Sequence, residues 1–277
     1  TAAWNRMIFH ELARKGVKVG GGRADEARIV YTSERFRPSG RPTAEGRTVH
    51  LGIDLFAVAG TPVFAPSDGF VKFARDNDQR LDYGPTIILE HQADALGPAG
   101  RPLVFYTLYG HLSRESLAGM QPGRMIKKGE RIGAIGPLPE NGDWPPHLHF
   151  QIILDLFDEC GNYPGVCRSS EREIWRVLCP DPNLILGMDP AELADPGLAP
   201  EAILAARTEH LGPSLSVSYR KPLKIVRGFM RHLYDHTGRL YLDAVNNVPH
   251  VGHGHPRVVS AVQRQAAETL EPYQTFC

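Results

Sequence analysis

From residue 48 onward the chain reads as short apolar-rich segments cut by glycine and proline. Segments 48–54, 62–64, 69–75, 86–91, 103–112, 131–135 and 147–154 are too short for typical helices and rich in β-branched and aromatic residues. Each predicts a strand. Turn signals separate them, including Ser67-Asp68-Gly69, Gln121-Pro122-Gly123 and Asn141-Gly142-Asp143. Many short strands with few helical periods predict a mainly β fold, an antiparallel β-sandwich-like core with a few flanking helices.

The flanks carry a different pattern. Trp4, Met7, Ile8 and Leu12 recur at helical spacing, and Gly20-Gly21-Gly22 breaks that helix. Residues 28–33 read as a strand and 38–46 as a polar loop. Beyond the core, 171–178 and 200–211 predict helices, the second opened by Pro200 and closed before Gly212. Residues 179–186 are expected to be extended or turning, because a residue preceding proline avoids the helical region. Residues 228–243 predict a hairpin turning at His236-Thr237-Gly238, and 256–270 an amphipathic helix.

Candidate chemistry lies in three clusters inside the strand-rich part. The last, His147-Leu148-His149-Phe150, alternates along a strand, so both imidazoles share one face and the apolar pair takes the other. In the first, His50-Leu51-Gly52-Ile53-Asp54, a straight strand would hold His50 and Asp54 about 13 Å apart, too far to share an ion. The chain is therefore expected to bend or bulge at Gly52, where no Cβ opposes it. Two imidazoles and one carboxylate make a three-ligand set that leaves a position for water, the pattern of a catalytic zinc site. His111, in Tyr109-Gly110-His111-Leu112, is the natural extra imidazole. His91, which ends a strand after Glu90, reads as a surface or turn histidine. Tyr109 could touch substrate or simply pack, and Trp144 could wall a cleft or only lead into the strand.

These clusters in this order resemble the lysostaphin/LytM-type zinc endopeptidases, as do Ile126-Lys127-Lys128-Gly129-Glu130-Arg131-Ile132-Gly133 and the stretch from Gly60 to Gly69. The resemblance covers about residues 28–155. It implies zinc ligation by His50, Asp54 and His149. It also implies a catalytic pair, His111 and His147, that orients or deprotonates the attacking water and stabilises the oxyanion. The substrate class implied is a peptide, including the cross-links of peptidoglycan. Asn141-Gly142-Asp143 stands where that family often has a glycine- and serine-rich loop, a departure that bears on substrate recognition.

Composition narrows the partners. Lysine plus arginine and aspartate plus glutamate each number 31, a formal net charge of zero, so no basic stripe for nucleic acid is present. No apolar run approaches the roughly 20 residues that span a bilayer, so no membrane partner is expected. No secretion signal is visible, which favours a cytoplasmic setting, and the chain is expected to be a piece of a longer protein. Cys160, Cys167 and Cys179 match no zinc-ribbon spacing and are expected to be reduced.

The last stretch changes character. Asp235-His236-Thr237-Gly238-Arg239-Leu240-Tyr241-Leu242-Asp243 and Gly252-His253-Gly254-His255-Pro256, followed by a helix, resemble the amino-terminal segment of class III aminotransferases. The resemblance covers about residues 220–277. It implies a pyridoxal phosphate enzyme whose Schiff-base lysine lies further on, so the cofactor belongs only to a full-length parent, which could form a homo-oligomer through this part.

The expected organisation is a helix and linker over 1–27, a zinc peptidase domain over 28–157, a connector over 158–219 and an aminotransferase start over 220–277. The expected function is zinc-dependent peptide hydrolysis within an aminotransferase fusion. The alternatives are an accessory domain of a pyridoxal-phosphate aminotransferase, or a binding module that keeps the cleft without hydrolysis.

Overall fold

In the order in which they lie side by side, seven antiparallel strands form the main sheet: β1 (Gly20–Gly22), β4 (Ile53–Phe56), β11 (His147–Ile153), β8 (Pro102–Gly110), β7 (Gly84–Leu96), β6 (Gly69–Asn77) and β9 (Met125–Ile126). A two-stranded sheet joins β5 (Pro62–Phe64) to β10 (Arg131–Ala134). A third places β3 (Arg47–His50) between β2 (Glu26–Ala27) and β12 (Val166–Arg168). The computed structural model describes residues 2–28, 30–31, 33–37, 45–96, 100, 102–193, 197–212, 215, 217, 221–244 and 250–270. The chain divides into two compact units: Thr1–Arg28 with Arg47–Pro196, and Ile29–Gly46 with Gly197–Cys277.

Alternation along the strands builds a core on each face of the main sheet. Ile87, Leu89, Tyr109, Leu148 and Phe150 pack with Val63 and Ile132 from the β5–β10 pair. Ile88, Leu108 and Ile153 face the other way, toward Val49, Tyr163 and Cys167. Each such aliphatic side chain, removed from water, contributes about 1.5–3 kcal/mol. The architecture is mainly antiparallel β with few helices, as the pattern of short segments predicts.

The predicted strands at 62–64, 69–75, 86–91, 103–112, 131–135 and 147–154 all form, with ends shifted by a few residues at most sites. Segment 48–54 divides at Leu51-Gly52 into β3 and β4, which belong to different sheets. That break is the expected bend. Where a strand over 28–33 is expected, none forms at Arg28, Val30, Tyr31 or Ser33, and Ile29 and Thr32 lie outside the described residues. Pairing goes instead to the triglycine, which forms an edge strand beside β4. The chain passes close to Leu12 there: a Cβ on Gly20 would sit 2.8 Å from a terminal methyl of that residue. In the expected loop at 38–46, only 45 and 46 are described.

Helices α1 (Ala2–Lys15), α2 (Arg172–Leu178), α4 (Pro200–His210) and α5 (Pro256–Leu270) occupy their predicted segments. A short helix, α3 (Asn183–Leu186), forms within the stretch expected to be extended or turning at 179–186. Pro182 caps it with φ −58°, since a proline just ahead of a helix gives up no intrahelical N–H bond. In the second unit the predicted hairpin is a three-stranded meander of β13 (Ile225–Phe229), β14 (His232–Asp235) and β15 (Leu240–Leu242). The Asp235 carboxylate pins its second turn, accepting from the Thr237 and Arg239 amides at 2.9 and 3.0 Å. Among the described residues no helix is long and apolar enough to cross a membrane.

Candidate metal centre

The bend at Gly52 brings the end of β3 over the main sheet. His50 ends β3, Asp54 lies on β4, and His149 sits opposite Asp54 on β11. The glycine is needed for contact as well as for bending: a Cβ there would lie 2.7 Å from His149 Cε1 and Nε2 and from the Phe150 carbonyl. His147 and His149 share one face of β11, while Leu148 and Phe150 enter the core on the other.

Three atoms converge. His50 Nε2 lies 2.9 Å from His149 Nδ1, which is 3.1 Å from Asp54 Oδ1, and the carboxylate oxygen is 3.2 Å from His50 Nε2. All three residues are buried. The far nitrogens settle the tautomers. His50 Nδ1–H donates to the Arg23 carbonyl at 3.0 Å, leaving a lone pair on Nε2. Gln151 gives its amide N–H to the Pro164 carbonyl at 3.2 Å, which turns its oxygen to His149 Nε2 at 2.9 Å. His149 therefore donates from Nε2 and presents the Nδ1 lone pair inward. With both imidazoles neutral, the triangle consists of acceptors alone. Burial first, then the Arg28 cation, lowers His50 to about 4, so it supplies no proton at neutral pH. Asp54 is held ionised well below the usual carboxylate range: burial opposes this, and nearby positive charge, permanently that of the Arg28 guanidinium, outweighs it.

The donor set fits zinc. Two imidazole nitrogens and a carboxylate oxygen at bond lengths of about 2.0–2.1 Å place tetrahedral ligand atoms about 3.3 Å apart. The observed edges of 2.9, 3.1 and 3.2 Å are close to that separation.

The other two histidines stand beside the triangle. His147 Nδ1–H donates to the Pro145 carbonyl at 2.6 Å, and its Nε2 lies 3.7 Å from Asp54 Oδ2. His111 Nδ1–H donates to the Asn141 carbonyl at 2.8 Å. The two rings lie 4.2 Å apart between centroids. Burial keeps His147 below its ordinary value and His111 well below, with His147 and His149 adding to the effect at His111. His111 has φ 62°, a left-handed conformation that costs a non-glycine residue of order 1 kcal/mol or more. Hydrogen bonds at both of its backbone groups hold it there: its amide to the Tyr83 carbonyl and its carbonyl from Gly136, each 2.8 Å.

Several groups absent from the sequence reading complete the arrangement. Gln151 fixes His149 and carried a readable signal, because alternation places it on the face of His147 and His149. Tyr83 sits 5.6 Å from the His111 ring and 5.2 Å from the His149 ring. Its place depends on Gly110 and Gly165, where a Cβ would come within 2.6 and 2.1 Å of it. Phe56 stacks on His147 at 4.9 Å. Trp144 does wall the site, 6.3 Å from His111. Tyr109 instead packs in the core against Phe150. His91 is not at the surface: it is buried, donating from Nδ1 to the Asp68 carbonyl and bonded through Nε2 to the Thr107 hydroxyl, each at 2.7 Å. Cys160, Cys167 and Cys179 are free thiols.

The model of peptidase family M23 matches residues 48–156, a segment that contains all five histidine and aspartate positions. Residues 48–156 are an M23 domain. Over 129 residues, 46% of this chain, the protein is 33% identical to an uncharacterized metalloprotease of Haemophilus influenzae and 31% identical to the DD-carboxypeptidase/endopeptidase Mpg of Neisseria meningitidis. It is also 43% identical over 76 residues, 27% of its length, to an alanine–glyoxylate aminotransferase 2-like protein of Drosophila melanogaster, which fits an M23 domain joined to aminotransferase sequence. The chain spans 24% and 26% of the two bacterial relatives and 15% of the fly protein. Helix α1 and strands β1 and β2 lie outside the matched segment but in the same compact unit as the M23 domain.

Proposed function

We propose that this M23 domain is a zinc metallopeptidase that hydrolyses peptide bonds in short peptides or peptidoglycan-like material. One observation carries the reading: three acceptor atoms from residues far apart in the chain meet within hydrogen-bonding distance with no donor among them when the imidazoles are neutral. A divalent cation resolves that repulsion. His50 Nε2, Asp54 Oδ1 and His149 Nδ1 would hold the zinc, with Gln151 and the Arg23 carbonyl fixing the two ring orientations. Zinc, when bound, supplies Lewis acidity that acidifies water and polarises a scissile carbonyl. His111 and His147 start neutral, anchored through Nδ1–H, so each can present Nε2 as a proton acceptor for the attacking water. Once protonated, the same nitrogen can donate to the oxyanion or to the leaving amine. The Neisseria relative, named a DD-carboxypeptidase/endopeptidase, supports peptide-bond hydrolysis as the reaction.

The test is cleavage of peptidoglycan-derived and short synthetic peptides by the purified chain, with and without chelation. Cleavage is expected only with zinc, and to be lost in His111→Ala or His147→Ala. Undiminished cleavage by chelated protein would overturn the proposal. A second reading, an accessory domain of a class III pyridoxal-phosphate aminotransferase, is favoured by the likeness to the fly protein. It requires a Schiff-base lysine downstream in a full-length parent, and a parent without pyridoxal phosphate absorbance would end it.

A further inference from the structure

Residues 23–28, which precede the M23 match in the chain, reach two of the three proposed zinc ligands. Arg28 donates from Nη1 to Asp54 Oδ2, leaving Oδ1 directed at the two imidazoles. Its guanidinium is itself fixed: Nε donates to Glu26 Oε2 at 2.6 Å and Nη2 to the Arg23 carbonyl at 3.4 Å. That carbonyl also accepts from His50 Nδ1 at 3.0 Å. Residues 23–28 thus orient two of the three donors through one shared carbonyl and one half-buried cation. The strand that precedes them makes room for this. Gly22 pairs with Asp54 across β1 and β4, and a Cβ on it would come 2.5 Å from Arg28 Nη2. Glycine is therefore what lets the guanidinium reach the carboxylate.

Resting on the zinc reading above, we infer that Arg28 is a positioning residue for the metal centre, acting through Asp54, with Gly22, Glu26 and the Arg23 carbonyl as its support. A carboxylate held at one oxygen by a planar, fixed donor has one rotamer to offer a metal, and it loses less freedom on binding than a free one. Arg28 bears a positive charge near a cation site, so its orienting effect opposes its repulsion of zinc. The two effects predict opposite signs for its removal, which makes the test decisive.

The measurement is zinc affinity of the full chain by chelator competition, with thermal melting of the zinc-free protein alongside. Arg28→Met is expected to weaken zinc binding about 10–100-fold, and Arg28→Lys, which keeps one donor, to fall between it and the unaltered protein. Should Arg28→Met fold poorly, Gly22→Ala displaces the guanidinium without removing it and is expected to weaken zinc in the same direction. Affinity that is unchanged or tighter in the folded variants would overturn the inference, as would a lower melting temperature alone. An unaltered chain that takes up no zinc would instead sink the metallopeptidase reading, so the two failures are distinct.

Discussion

Gly52→Ala is the sharpest perturbation of the site that leaves every donor atom in the chain. The added methyl would lie 2.7 Å from two atoms of the His149 ring and from the Phe150 carbonyl. Ordinary van der Waals contact begins near 3.4 Å, so about 0.7 Å of overlap must be relieved. The carbonyl belongs to β11, paired on both sides with β4 and β8, and cannot retreat without breaking the sheet. The His149 ring must therefore move, or β4 must lift with Asp54. Overpacking of this kind costs about 1–3 kcal/mol. At about 2–4 °C per kcal/mol, the zinc-free protein should melt about 2–12 °C lower. Metal sites tolerate errors of only about 0.2 Å in ligand distance, so zinc affinity should fall at least about tenfold. Calorimetry of the zinc-free protein and chelator competition measure the two effects. Unaltered melting together with unaltered affinity would refute the argument that Gly52 is fixed by contact with His149.

Three further outcomes follow from the same geometry. His111→Ala should keep zinc while peptide cleavage falls about 10²–10⁴-fold, the usual contribution of a general acid–base group, as read by stopped-time assays. Gln151→Leu removes the acceptor that fixes the His149 tautomer and should weaken zinc about 10–100-fold by chelator competition; equal affinity would show that the ring needs no such partner. His91 is held below its ordinary value by burial, with its bond to the Asp68 carbonyl opposing the shift. Its folded value lies below the unfolded one of about 6.5, so the stability it contributes is complete above that pH and is lost as pH falls toward the depressed value. Denaturant midpoints should therefore decline on acidification below about 6.5, and the slope should flatten in a folded His91→Gln variant.

Much of the site was legible because it follows local rules. Two-residue alternation gave the shared face of His147 and His149, and the length of an extended segment demanded the break at Gly52. The same alternation puts Gln151 on that face, a signal the sequence reading passed over. Arg28 left no such trace: it reaches Asp54 from 26 positions away, by way of a triglycine whose composition reads as a helix breaker. Its strand character comes only from the partner β4. Tyr83 was hidden for a similar reason, since its pocket is made by glycines on two other segments. His91 and Tyr109 were ambiguous as single residues, and packing decided both. The helix after Pro182 was missed because the rule against helical residues before proline says nothing of those that follow it.

In the proposed centre His50, Asp54 and His149 together hold one zinc ion while His111 stays outside its ligand set. Metal content after dialysis against trace zinc near neutral pH tests it directly, in the unaltered chain, His149→Ala and His111→Ala. One zinc per chain is expected in the unaltered protein and in His111→Ala, and none in His149→Ala. No zinc in the unaltered chain, or equal loss in both variants, would contradict it.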